Sequence, residues 1–184
     1  MMPVRGPPLV LISGLPAVGK STVAGPLAAA LGGAWLSRDR VVQEMGPVLA
    51  PLDRFTVRAF GFRRRKLQQR ANGLLAAMVE RQLAAGRPVV VEAVADSEVR
   101  RQMETIAARR AAPLCCLTVV CPDAVEHGRR LAERTGHWEK VVRRCASSVA
   151  PSPGACVLDS RMAPGALVAQ AFEFVRRTCA VRRG

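Results

Sequence analysis

Residues Leu9 to Thr22 read LVLISGLPAVGKST, and no other stretch limits the fold as strongly. An apolar run ends at Gly14, a short loop follows, and Gly19-Lys20-Ser21-Thr22 opens the next segment. The spacing Gly-x-x-x-x-Gly-Lys-Ser has a physical logic. Gly14 lets the chain turn at the end of a strand. Gly19 lets backbone N–H groups approach an anion's oxygens closely. A helix starting there adds the positive end of its dipole. Lys20 supplies a mobile positive charge, and Ser21 offers a hydroxyl to a divalent cation. These residues predict a phosphate cradle between a strand and a helix.

The rest of the chain repeats that strand–helix rhythm. Strands are expected at Leu9–Ser13, Ala34–Ser37, Pro88–Ala93, Pro113–Val120 and Ala155–Leu158. Helical patterns lie between them, over Ser21–Leu31, Phe55–Ala85, Asp96–Ala111, Asp123–Glu133, Glu139–Val149 and Pro164–Cys179. Pro26 predicts a kink or a short first helix, and Gly61 marks a break in the long one. Asp96 or Ser97 suits an N-cap. The strands are continuous apolar runs, not alternating ones. Such runs belong to a parallel sheet covered on both faces, an α/β sandwich. The 184 residues, 49% of them hydrophobic, suit a single domain with a real core.

The loop matches the P-loop pattern, so Gly14, Pro16, Ala17, Val18, Gly19, Lys20, Ser21 and Thr22 are expected to bind a nucleotide, with Ser21 on Mg²⁺. No guanine-recognition motif of the N/TKxD type is present, so ATP is the expected nucleotide. Ser37-Arg38-Asp39-Arg40 ends the second strand, and strand C-termini line the ligand crevice of a doubly wound sheet. Asp39 there is either a helix-capping aspartate or a base that takes a proton from an attacking hydroxyl, with its flanking arginines orienting it and contacting anions. Its place beside the loop favours the base. Arg130 and Arg134 sit four apart on one helix face. They suit a lid that stabilises charge on a transferring group, and the alternative is a solvated face. Glu92 ends the third strand and suits a contact to Mg²⁺ through a water, or to substrate.

Together these features resemble the small P-loop kinases, a group that includes polynucleotide 5′-hydroxyl kinase, gluconate kinase, the zeta toxins and chloramphenicol phosphotransferase. The likeness is strongest to short bacterial kinases reading G-L-P-G-S-G-K-S-T, S-D-R, V-V-x-D-A and R-L-x-x-R. Here the matching stretches are GLPAVGKST, SRDR, VVVEA and RRLAER. The likeness covers roughly residues 8 to 175. It implies a three-layer P-loop NTPase fold with five parallel strands in the order 2-3-1-4-5. It implies one domain over 1–184 with a small lid around 128–140. Asp39 and Lys20 become catalytic residues, Arg130 and Arg134 lid arginines, and Arg40 a substrate or phosphate contact. Glu92 replaces the usual aspartate with a longer side chain. Ala17 replaces the middle glycine, which the cradle does not strictly need.

The implied reaction is ATP-dependent transfer of a phosphoryl group to a hydroxyl of a small molecule or an antibiotic-like metabolite. Two alternatives stay open: a polynucleotide 5′-hydroxyl kinase, and a nucleotide-binding regulatory or toxin-like protein. Arg54 and Arg58 stand first among the basic residues of the substrate segment. The net charge of +14 fits a nucleic acid partner. It fits equally the codon bias of a GC-rich genome, since all but three of the 28 basic residues are arginine. Aromatic residues are only 4%, which supplies stacking platforms poorly, and Trp35 and Trp138 read as packing residues. The six cysteines form no CxxC pair and read as reduced thiols. No membrane span or cleavage-site pattern is legible, so a cytoplasmic location is expected.

Overall fold

The computed structural model describes residues 6–49, 60–94, 97–133, 151 and 153–181. Several sequence expectations lie outside these: Arg54, Arg58, Asp96, Arg134, Trp138, the helix over Glu139–Val149 and most of the lid around 128–140. The elements run β1 (Leu9–Ser13), α1 (Lys20–Ala30), β2 (Ala34–Ser37), α2 (Arg38–Leu49), α3 (Phe60–Ala84) and β3 (Val89–Glu92). They continue with α4 (Ser97–Arg109), β4 (Leu114–Val120), α5 (Ala124–Ala132), β5 (Cys156–Asp159) and α6 (Pro164–Val181).

The strands form one parallel sheet in the order β2-β3-β1-β4-β5. Side chains alternate across a strand, and both faces of this sheet are covered. Leu9 and Leu11 of β1 pack with Leu75 and Val79 of α3 and Met103 and Ile106 of α4. Val10 and Ile12 pack on the other face with Val23 and Leu27 of α1 and Leu167 and Val175 of α6. That double burial is why the strand sequences read as unbroken apolar runs. The register sets Ile12 beside Glu92, and Glu92 beside Ser37. The C-terminal ends of β1, β2 and β3 therefore meet at the loop after Ser13.

Three elements differ from expectation. α1 is not shortened by Pro26, which lies inside an 11-residue helix. A proline in a helix interior costs about 3 kcal/mol, but Val23 and Leu27 around it are fully buried. Burying two such side chains contributes about 3–6 kcal/mol, enough to hold the turn. Second, α2 follows β2 directly. Its signal is Val41, Val42 and Met45, which pack toward the core under α3 and lie at helical spacing. Third, α3 runs without a break from Phe60, so Gly61 sits in its first turn.

The described cysteines Cys115, Cys116, Cys121 and Cys156 are free thiols. Burial pushes the Cys115 thiol up to about 12. Among the described residues no helix is long and apolar enough to cross a membrane.

Candidate active site

The loop between β1 and α1 is shaped by close approach. A Cβ on Gly14 would collide with the carbonyl of Val119 in β4, and no backbone atom can yield there cheaply. Gly19 adopts φ 96° and caps α1 without a side-chain bond. The first turn of α1 carries no acidic residue of its own, and its N–H groups and the positive end of its dipole face the loop. Ala17 also has a positive φ, 63°. The chain thus keeps the left-handed turn that glycine favours while using alanine, at a cost of about 1–2 kcal/mol.

Around this loop lies a cavity of about 260 Å³. Its floor is Ala17, Gly19, Lys20 and Ser21, and its wall includes Ser37, Glu92 and Trp35. Asp39, Arg40 and Gln43 close it from α2. Lys20 is buried, and its Nζ donates to the Leu15 carbonyl at 2.8 Å. Ser21 Oγ donates to Glu92 Oε1 at 2.7 Å, and Trp35 Nε1 donates to Glu92 Oε2 at 3.2 Å. Glu92 is itself only 6% exposed. A buried carboxylate held by two donors, beside the loop's serine, is an oriented anion rather than a surface charge.

The first turn of α2 sorts its residues by angle. Successive helical residues point about 100° apart. Asp39 and Arg40 line the cavity. Arg38 turns away from it, is buried, and donates from Nε to Asn72 Oδ1 of α3 at 2.8 Å. Of the two arginines that flank Asp39, Arg40 lines the cavity and Arg38 does not. The Arg40 guanidinium lies 5.7 Å from the Trp35 ring centroid, a cation–π contact that steadies it.

Other expected residues stand further off. The Val18 side chain is buried in the core, and Thr22 is exposed on α1. Pro16 is buried and presents its carbonyl to α5, where His127 Nε2 lies 2.8 Å from it. Arg130 on α5 does not line the cavity. Its Nε donates to Glu126 at 2.7 Å and its Nη1 to Ser160 Oγ at 3.2 Å. Ser160, in turn, approaches Gly19. Arg129 is an exposed partner of Glu126 and Glu133. Hydrogen bonds from Arg129 and Arg130 hold the Glu126 carboxyl down at about 2.

A family model described as an AAA domain matches residues 9–177. The chain belongs to that AAA-domain family. The AAA-domain chain also resembles solved kinases in fold. A sugar kinase from Janibacter sp. HTCC2649 matches with TM-score 0.66 and 19% identity, covering 92% of this chain and 95% of that one. A gluconokinase from Sinorhizobium meliloti 1021 gives 0.61 and 19%, covering 94% of each. The Mycobacterium tuberculosis APS kinase, in complex with AMPPNP and APS, gives 0.61 and 15%, covering 94% of this chain and 99% of that one. A search of curated proteins returns no match. The AAA-domain chain therefore has the P-loop kinase fold, with its five-stranded parallel sheet flanked by helices.

The residues present fit Mg²⁺. Ser21 Oγ and the Glu92 carboxylate are hard oxygen donors side by side in the cavity. Among the described residues no cluster of three or more His, Cys, Asp or Glu forms a metal cage. Mg²⁺ sites use one or two protein oxygens plus substrate phosphates and waters.

Sequence reasoning missed Trp35, Gln43 and His127. Trp35 does pack, against Gly25, but it is 38% exposed and also forms cavity wall. Its signal was its place two residues before Ser37, hence on the same face of β2. Gln43 had the signal of lying one helical turn from Asp39. His127 had none, because its partner is far away in sequence.

Proposed function

We propose that this protein is an ATP-dependent kinase that transfers the γ-phosphoryl group to a hydroxyl of a small molecule. The observation that carries the reading is that Asp39 faces the same cavity as Lys20, Ser21 and Glu92. The nucleotide phosphates would rest on the loop N–H groups of Gly14 to Thr22, with the Lys20 ammonium on the β- and γ-phosphates. Ser21 would hold Mg²⁺ directly and Glu92 through a water. When bound, the ion neutralises charge on the phosphate oxygens. Asp39 accepts the proton of the acceptor hydroxyl, whose oxygen forms the new bond to the γ-phosphorus. The bond to the β–γ bridging oxygen breaks, and ADP leaves with that electron pair. Arg130 and Arg134 act from a lid around 128–140, on a single domain. Arg40, Arg54 and Arg58 serve an anionic part of the acceptor. The named kinase structures are consistent with a small-molecule acceptor, and a cytoplasmic location belongs to the same reading.

The test is transfer from γ-labelled ATP with Mg²⁺, using wild type and Asp39→Asn. Acceptors are a panel of sugars, nucleosides, aminoglycoside- and phenicol-like compounds, and separately a 5′-hydroxyl oligonucleotide. Losing a positioned base lowers turnover about 10²- to 10⁴-fold, while ATP affinity stays within about two-fold because Asp39 lies outside the loop. Label on the oligonucleotide instead would make the protein a polynucleotide kinase. Equal transfer by Asp39→Asn overturns Asp39 as the base. ATP binding without transfer to any acceptor favours the regulatory reading.

A further inference from the structure

We infer that His127 is a positioning residue for nucleotide binding: it clamps the Pro16–Ala17 peptide of the phosphate loop from outside. This rests on the nucleotide reading of that loop.

The geometry begins with the hydrogen bond. His127 Nε2 lies 2.8 Å from the Pro16 carbonyl oxygen. A carbonyl only accepts, so Nε2 carries the proton and donates. The peptide after Pro16 is not cis. In a trans peptide the C=O and the N–H of the next residue point in opposite directions. Fixing the Pro16 carbonyl toward α5 therefore fixes the Ala17 N–H away from α5. Ala17 borders the cavity, so the fixed N–H is one the loop can offer to phosphate.

Strain at the neighbouring residue gives the clamp a purpose. Ala17 sits at φ 63°, where an L-residue other than glycine is disfavoured. Rotation of the Pro16–Ala17 peptide offers relief from that conformation. It would also swing the N–H out of the cradle and the carbonyl oxygen in, setting a negative dipole against phosphate. The His127 bond opposes that rotation.

α5 is built to act through such contacts. It has no buried residue, so apolar packing contributes little to its seating. Its polar ties are specific ones. Asp123 caps it by accepting from the N–H groups of Val125 and Glu126. His127 reaches the loop, and one turn later Arg130 reaches Ser160. His127 and Arg130 are three apart and share a face. The helix that carries Arg130 is thereby indexed to the phosphate loop.

The test compares wild type with His127→Phe, His127→Ala and His127→Gln. Phenylalanine keeps a ring and removes the donor. Glutamine places an amide N–H near the position of Nε2. ADP affinity is measured by calorimetry, and the Ala17 amide is followed by ¹H–¹⁵N NMR with and without ADP. Melting temperature is recorded for each variant. The loss of one hydrogen bond weakens ADP binding about 2- to 12-fold in the Phe variant. Glutamine restores affinity to within about two-fold of wild type, and the ADP-induced shift of the Ala17 amide shrinks in Phe and returns in Gln. In kinetics the loss falls on the KM for ATP and not on the KM for the acceptor. If the Ala variant does not fold, the Phe and Gln pair decides. Wild-type affinity in the Phe variant overturns the inference, as does equal weakening in Phe and Gln. Failure of the wild type itself to bind ADP overturns the nucleotide reading and the inference with it.

Discussion

Glu92→Gln separates a structural carboxylate from a functional one. Glu92 is 6% exposed and accepts from Ser21 Oγ at 2.7 Å and Trp35 Nε1 at 3.2 Å. Glutamine has the same shape. Its amide oxygen can take the indole N–H, while its NH₂ donates to the serine hydroxyl, which rotates to accept. Both bonds survive as neutral ones. A charge-assisted bond contributes roughly 1 kcal/mol more than a neutral one, and the longer contact to Trp35 contributes less. Against that loss of about 1–2 kcal/mol stands relief from keeping a charge out of water, a term of comparable size or larger. The net loss in stability is therefore no more than about 1 kcal/mol, so the melting temperature falls by no more than about 4 °C. Function behaves differently. A residue that holds a metal through water loses about 10- to 100-fold in metal affinity or activity when changed. The assay is phosphoryl transfer across a Mg²⁺ titration, with thermal melts on the same samples. Mg²⁺ dependence and turnover within two-fold of wild type would refute a metal role. A melting temperature lower by more than about 8 °C would refute the energy balance, making Glu92 a structural anion.

Three further outcomes follow from the same structure. Leu75→Ala removes a fully buried side chain of α3 under the sheet and costs about 2–5 kcal/mol, read as a lower denaturation midpoint with an unchanged slope. Gly14→Ala drives a Cβ onto the Val119 carbonyl; β1 and β4 must part at that point, and both melting temperature and ADP affinity fall, which the two measurements check together. The Cys115 thiol is raised to about 12 by burial, from 9 in an exposed thiol. The folded state therefore keeps a proton that the unfolded chain gives up above pH 9. Stability from this group is complete below pH 9 and falls toward pH 12, by up to about 1.4 kcal/mol per pH unit. Urea titrations from pH 8 to 10.5 on wild type and Cys115→Ala read the difference, and Cys115 resists alkylation at pH 8 until the protein unfolds.

Much of the fold was legible because its signals are local. LVLIS, AWLS and the VVVE run became β1, β2 and β3 with bounds within a residue or two of expectation. Gly32-Gly33 ended α1, and Gly86 ended α3, with φ 63° at Gly32 and 73° at Gly86. α2 was not legible, because Arg38-Asp39-Arg40 hides a short apolar stripe at Val41, Val42 and Met45 that only the packing against α3 makes helical. Pro26 misled in the opposite direction. Its local penalty was visible, whereas the burial of Val23 and Leu27 that outweighs it is a property of the assembled sheet.

By itself, the sequence determined the phosphate loop, the strand–helix alternation and the position of Asp39 at a strand end. Those depend on residue spacing along one segment. The tertiary structure decided which distant residues lie around that loop. It set Glu92 against Ser21, though they are 71 positions apart, and turned Trp35 to hold the same carboxylate. It sent Arg38 into the core and Arg40 to the cavity. It brought His127 to Pro16 across 111 positions. Such pairings depend on strand register and helix seating, which arise only when both faces of the sheet are buried at once. Hydrogen bonds are directional and short-ranged, so they form only after packing has fixed those positions.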